Sequence, residues 1–322
     1  MNPLLRKRII FTAGKVLYNL FRYLLLIGIA YIALFPLIRL ISASLTPPEE
    51  MLGNGGMTET NFVPNDPTFQ NYTYGLSYFS YMKHAGATIY IALLSTFFTC
   101  ITCSLAGYGL GRYTFKGRAL VFGAMLMMIV VPLYTAQIPL YYDMRWFDFF
   151  GIGKIVGWFT GKPLTVNLLK NYLNYFVPAL FGAGLSSGIF IFLFMQFFSG
   201  MPRDLEDAAK LDGCGPWKIY LKVMLPNITP VLATVALLSM VYYWNDSFIC
   251  SMSTNVTNAP LMMALDLLTS SGAIGDFGNA DTASRICANW AILVLSMAPL
   301  TVIFIFCQKF FVESMDRSGI KG

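Results

Sequence analysis

The residues of this chain that could do bond-making chemistry are few and badly placed for it. His84 is the single histidine, which excludes an H-E-x-x-H zinc site, and no G-x-S-x-G nucleophile elbow occurs. The nearest approach to a phosphate-binding loop, Gly157-Trp-Phe-Thr-Gly-Lys162, has the wrong gap and continues into Pro163, so no nucleotide cradle is expected. Cys100 and Cys103 form a CxxC inside an apolar stretch, where soft packing residues are expected rather than a redox pair. The six cysteines, which also include Cys214, Cys250, Cys287 and Cys307, show no disulfide framework.

A different kind of chemistry, docking through fixed charges, is concentrated in the polar run 202–226, which lies between two strongly apolar stretches. Pro202 suits a first helical position, and Asp204, Glu206 and Asp207 then favour the positive end of the helix dipole. Asp212-Gly213 is expected to end that helix, because glycine enters the left-handed conformation without a steric penalty. Pro216 opens a second helix in which Trp217, Tyr220, Leu221 and Met224 recur at helical spacing. Two short helices meeting at an angle are therefore expected, closed by Pro226.

The elements that must position this run are apolar helices. Of 322 residues, 56% are hydrophobic and 12% charged, and the mean hydropathy is +0.61, too apolar for a soluble globule, so the expected fold is all-α and integral to a membrane. Six stretches can cross a hydrocarbon core of roughly 30 Å: 23–41, 85–110, 120–141, 176–198, 229–249 and 286–306. They make up a domain over 23–307, with Pro36 expected to kink the first span. The basic segment 1–22 reads as uncleaved, cytoplasmic and carrying an interfacial helix, and 308–322 reads as a polar cytoplasmic tail. The intervening 43–84, 142–175 and 250–284 read as external, the second of them with at least one interfacial helix. Basic residues are dispersed over short loops, which argues against nucleic acid as a partner. Fifteen of the 22 Lys and Arg residues fall on the side of the termini and six on the other, which places both termini inside.

The spacing within 202–226 is specific. Asp207-Ala208-Ala209, Gly213, Val223, Leu225 and Pro226 fit the pattern E-A-A-x3-G-x9-I-x-L-P with every gap kept, Asp207 replacing Glu and Val223 replacing Ile. In this the chain resembles the permease subunits of ATP-binding-cassette importers. The stretches 105–118, 139–141, 244–245 and 311–322 are similar to the carbohydrate-uptake branch, which includes the smaller permease subunit of the maltose transporter. Glu313-Ser314 and Lys83-His84-Ala85 depart from that branch, which weakens transfer of a substrate by analogy. The resemblance implies a type I importer permease fold with six transmembrane helices and a coupling helix in 199–226, between spans four and five. It implies a multi-pass protein of the bacterial plasma membrane, in contact with lipid, and partners comprising a second permease, two ATPase subunits that bind ATP and Mg, and an extracellular substrate-binding protein. No cofactor is expected in this chain. ATPase coupling is carried over to Glu206, Asp207, Ala208, Ala209, Asp212, Gly213, Leu225 and Pro226.

Polar residues within spans are candidates for the cargo path, because unpaired polar groups in lipid are costly. Gln196, Tyr243, Trp244, Asn245, Asp246 and Asn289 qualify. A sugar presents apolar C–H faces and a hydroxyl rim, and the run 242–246 offers aromatic rings beside amide and carboxylate groups. On one helix Tyr242 would share a face with Asp246, and Ser239 with Tyr243, leaving Trp244 and Asn245 to face a cavity. Gln196 and Asn289 also read as hydrogen-bond glue between helices, and Trp244 and Asp246 as interfacial anchors. Other classes remain open: the same importer class with glycerol phosphate or a signal-type cargo, a membrane scaffold, or an intramembrane enzyme suggested by Gly272-Ala-Ile-Gly-Asp276.

Overall fold

A computed structural model describes residues 3–53, 63–149, 151–162, 164–252, 259–270 and 280–319. In chain order its helices are α1 (Pro3–Leu45), α2 (Pro48–Gly53), α3 (Gln70–Tyr78), α4 (Tyr81–Arg112), α5 (Arg118–Val130), α6 (Gln137–Arg145), α7 (Ile152–Thr160) and α8 (Leu173–Leu180). These are followed by α9 (Ser187–Gly200), α10 (Asp204–Leu211), α11 (Pro216–Ile219), α12 (Leu225–Asn227), α13 (Thr229–Trp244), α14 (Phe248–Ser251), α15 (Leu261–Ser270) and α16 (Ala280–Gly319). A π-helical turn, Tyr220–Met224, joins α11 to α12. Among the described residues the only β pairing is an isolated antiparallel bridge between Phe147 and Val166.

The chain forms two units. The first holds α1, α2, α3 and the start of α16, to Leu295. In it α1 runs unbroken through Pro36, so the expected interfacial helix and the expected span at 23–41 are one helix. Its flank is apolar and exposed at Leu17, Phe21, Ile27 and Ile32. The last carbonyls of a helix lack partners within it, and here Asn71 supplies them, its Nδ2 donating to the carbonyls of Ser44 at 2.9 Å and Thr46 at 2.8 Å. A second anchor, the 2.7 Å contact of the Ser44 and Tyr72 hydroxyls, holds α3 against α1.

The second unit is built on α4, against which α8, α9 and α13 pack. The closest approach is to α9, where a Cβ on Gly107 would stand 2.5 Å from Cβ of Phe194 and one on Gly111 would stand 3.0 Å from the carbonyl of Met195. Gly109, between these two in sequence, points into open space. The resulting core contains Cys103, Phe190, Phe194, Phe198, Met224 and Val235. All six cysteines are free thiols.

Three described helical segments, 14–45, 81–112 and 282–309, are long and apolar enough to cross a membrane, and a fourth arises if 216–227 and 229–251, bent by 80° at their junction, count as one. The stretches 120–141 and 176–198, expected as continuous spans, are interrupted. The first breaks at Val131, which takes extended backbone before Pro132, as steric clash with a proline ring requires. The second breaks between α8 and α9, where Gly182 and Ser186 take left-handed backbone. The two breaks share a cavity of about 480 Å³ lined by Pro132, Ala136, Gly184 and Ser187.

Candidate functional site

The run 202–226 folds as two helical segments joined by a turn, with two departures from expectation. Pro202 precedes the first helix by two residues, and Pro226, expected to close the second, lies inside α12, which runs on to Asn227. α10 starts with Asp204, Glu206 and Asp207 in its first turn and ends in a Schellman-type cap, with the Cys214 N–H donating to Ala209 at 2.9 Å and the Gly213 N–H to Lys210 at 2.9 Å. Gly213 stands at φ +76°, the conformation that glycine permits. Pro216 occupies the start of α11.

Adjacent carboxylates on α10 have opposite fates. Glu206 turns inward to a 2.9 Å ion pair with Nε of Arg112, and the side chains are only 13% and 4% exposed. The Tyr108 hydroxyl donates to the same carboxylate oxygen at 3.2 Å. Arg112 also donates through Nη1 to the carbonyls of Phe198 at 3.3 Å and Met201 at 2.8 Å, and through Nη2 to that of Pro202 at 3.3 Å. One guanidinium therefore closes α9, fixes the entry of α10 and neutralises Glu206. Below it, Ala209 packs into the core beside Ile219, Tyr220 and Met224, and the Tyr220 and Ser104 hydroxyls meet at 2.7 Å.

Asp207 turns outward and accepts from Nζ of Lys210 at 2.8 Å. That hydrogen bond, reinforced by the lysine charge, holds the Asp207 carboxyl below its ordinary value and raises Lys210. The aspartate therefore stays charged through neutral pH and gains its proton at a lower pH than an unpaired aspartate does. Around it Ala208 and Asp212 are exposed, and Leu211 is 90% exposed at the tip. Of the coupling residues expected from sequence, Asp207, Ala208 and Asp212 thus form an outward patch, while Glu206, Ala209 and Gly213 build the loop that carries it. Leu225 is half-buried and Pro226 exposed at the far end.

The residues proposed for a cargo path are not brought together. α13 ends at Trp244, so Asp246 lies beyond it, and Tyr242 is exposed while Asp246 is buried; the shared face expected for that pair is absent. Asp246 instead accepts from the Tyr175 hydroxyl at 2.7 Å and from the Ile249 and Cys250 N–H groups at 3.2 and 3.3 Å, capping α14. Ser239 and Tyr243 do share a buried face, with the Tyr243 hydroxyl 3.1 Å from that of Thr99. Trp244, expected to face a cavity, is buried and donates Nε1–H to the Ser296 carbonyl at 3.1 Å. Asn245 and Gln196 are exposed, and Asn245 donates to the Val241 carbonyl at 2.9 Å. Asn289, half-buried, belongs to the first unit.

Sequence reasoning missed Arg112, counted only as a charge following a span. Its signal is positional, as the last residue of the glycine-rich turn of α4 that lies against α9.

Apolar helices of membrane-crossing length, together with a polar helix-turn-helix that presents a small charged patch, define a polytopic membrane protein. The family described as "Binding-protein-dependent transport system inner membrane component" matches residues 103–317, and the chain belongs to that family. It is therefore a multi-pass inner-membrane permease subunit of the ATP-binding-cassette type, a transport component and not an enzyme. It is 30% identical to "Arabinooligosaccharides transport system permease protein AraQ" of Halalkalibacterium halodurans, over 93% of this chain and 96% of the relative. It is 26% identical to "Trehalose transport system permease protein SugB" of Mycobacterium tuberculosis, over 90% of this chain and 93% of the relative. Among solved structures, a chain of a bacterial ABC transporter involved in the import of the acidic polysaccharide alginate superposes with a TM-score of 0.70 at 20% identity, over 92% of this chain and 98% of that one, which is a likeness of fold.

Proposed function

We propose that this chain forms half of the translocation path of an ATP-driven importer for an oligosaccharide, pairing with a second permease, two ATPase subunits and an extracellular binding protein. The reading takes six spans with both termini cytoplasmic, counting the broken helix pairs α5–α6 and α8–α9 as one span each. ATP and Mg belong to the ATPases, and the exposed patch of Asp207, Ala208 and Asp212 docks on them. The observation that carries the substrate class is full-length similarity to permeases named for arabinooligosaccharides and trehalose. The docking role rests on the patch itself: a charged, outward face on a loop whose base is locked by Arg112.

Uptake of labelled oligosaccharides by cells lacking this chain, with and without its restoration, tests the function. Restored chain should recover ATP-dependent uptake of an oligosaccharide; recovery for none across arabinose-, glucose- and galactose-based series would reject the substrate class. Orientation is tested in a cysteine-free background with Lys162→Cys and Gly215→Cys, both exposed positions. An impermeant thiol reagent added to intact cells should reach 162 and miss 215, and the reverse would invert the topology.

A further inference from the structure

Helix α7 is amphipathic in the wrong direction for a helix packed on its own protein. Its side toward the chain is made of glycine: Gly153 is buried, and a Cβ there would collide with the Leu164 carbonyl. Its bulky side chains point away, with Ile152 59%, Ile155 58%, Trp158 91% and Phe159 86% exposed. At 100° per residue these four fall within an arc of roughly 120°, a single apolar face. A packed surface helix would turn that face inward.

The face is held rigidly rather than left on a loose loop. Phe147 and Val166 exchange backbone hydrogen bonds at 3.1 and 2.9 Å across the base of the segment, and Gly153 donates to Asp148 at 2.7 Å while accepting from Leu164 at 3.1 Å. Gly161, at φ +74°, closes the helix, and Lys154, whose ammonium lies 3.5 Å from Asp148, stands beside the apolar arc.

From this we infer that α7 is an interfacial helix that docks on the lipid surface, Trp158 and Phe159 entering the boundary between head groups and acyl chains. Three observations select lipid as the occupant. With α5–α6 taken as one span, as proposed above, the six residues between α6 and α7, a reach of no more than about 25 Å, keep α7 near the membrane boundary. Exposed apolar side chains recur along the segment, at Ile138, Tyr142, Trp146 and Phe149 before α7 and at Leu164 after it. Adjacent Trp and Phe flanked by Lys154 and Lys162 is the composition that sits at membrane interfaces, where aromatic rings occupy the head-group level and lysines reach water. The nearness of α7 to a membrane boundary rests on the spans proposed above, and its assignment to the outer leaflet on their orientation; its outward apolar face rests on neither.

The test uses the full chain in its assembled complex, cysteine-free, in nanodiscs of phosphatidylethanolamine and phosphatidylglycerol. Nitroxide labels on Ile155→Cys, Trp158→Cys, Phe159→Cys and Lys154→Cys are compared for collision with oxygen and with a water-soluble nickel chelate. The first three should favour oxygen over nickel at least severalfold more than Lys154→Cys does. Equal nickel access at all four sites, or exclusion of both reagents at the apolar three as a protein partner would cause, overturns the proposal. Should a labelled variant fail to assemble, brominated lipid applied to the native complex and to Trp158→Phe supplies the answer. The tryptophan emission lost in Trp158→Phe should be the most strongly quenched component, and an unquenched component overturns it. A failed uptake assay or an inverted topology would leave these readings unchanged.

Discussion

The loop 202–226 and the run 242–246 both set acidic side chains beside aromatic ones, yet they use them differently. In the loop, neighbouring carboxylates are divided: Glu206 is drawn in by Arg112 and Tyr108, and Asp207 is left outside with Lys210. In the run, Asp246 is spent on Tyr175 and the α14 backbone, and Trp244 on the Ser296 carbonyl, so only Tyr242 and Asn245 remain at the surface. The buried polar groups of the run are satisfied within the chain, whereas Asp207 and Asp212 stay at the surface of the loop, which fits the docking role proposed for it.

Four single substitutions and one paired exchange sharpen this contrast. Arg112→Ala should have the largest effect, because it leaves the Glu206 carboxylate buried without its counter-charge and uncovers three carbonyls at the end of α9. Breaking a buried ion pair costs about 3–5 kcal/mol, so thermal unfolding of the complex should shift down and proteolysis at the loop should rise. An unchanged midpoint would show that the loop is held elsewhere. Exchanging the pair, Arg112→Glu with Glu206→Arg, should fail to restore stability, since the new carboxylate would face carbonyl oxygens.

Gly213→Val should cost about 1–2 kcal/mol through the left-handed backbone it forces on a branched residue, with lowered ATPase coupling but intact insertion. Trp244→Phe keeps an aromatic ring but removes the bond to Ser296, worth about 1 kcal/mol, and leaves a cavity where the rest of the buried indole stood. It should lower the unfolding midpoint and leave cargo affinity alone, whereas a changed affinity at constant stability would return Trp244 to the cargo path. Asn245→Ala, at an exposed site, should alter stability by no more than about 0.5 kcal/mol. A fall in uptake with assembly preserved would keep this residue on the path; unchanged kinetics would assign cargo contact to the other permease.

What was legible in the sequence follows the same division. The turn at Gly213 and the helix start at Pro216 could be read because local backbone chemistry fixes them, whereas α10 begins two residues after Pro202, at Asp204. Hydropathy located the apolar stretches but not their interruptions at Pro132 and at Gly182–Ser186, since a window average does not register a few residues of irregular backbone. The face-sharing of Tyr242 and Asp246 failed because it assumed a helix past Trp244. Glu206 and Asp207 are chemically alike and adjacent, so only the position of Arg112, nearly a hundred residues upstream, reveals which is buried.

Asp207→Lys puts the central claim, an outward docking carboxylate on an independently locked loop, to its most direct test. Stability and cargo-stimulated ATPase activity of the purified complex are measured together. The unfolding midpoint should stay within error of the unmodified complex, because Asp207 is exposed, while stimulation by loaded binding protein is lost as a charge-assisted contact becomes a repulsion. Wild-type stimulation in Asp207→Lys would contradict the account.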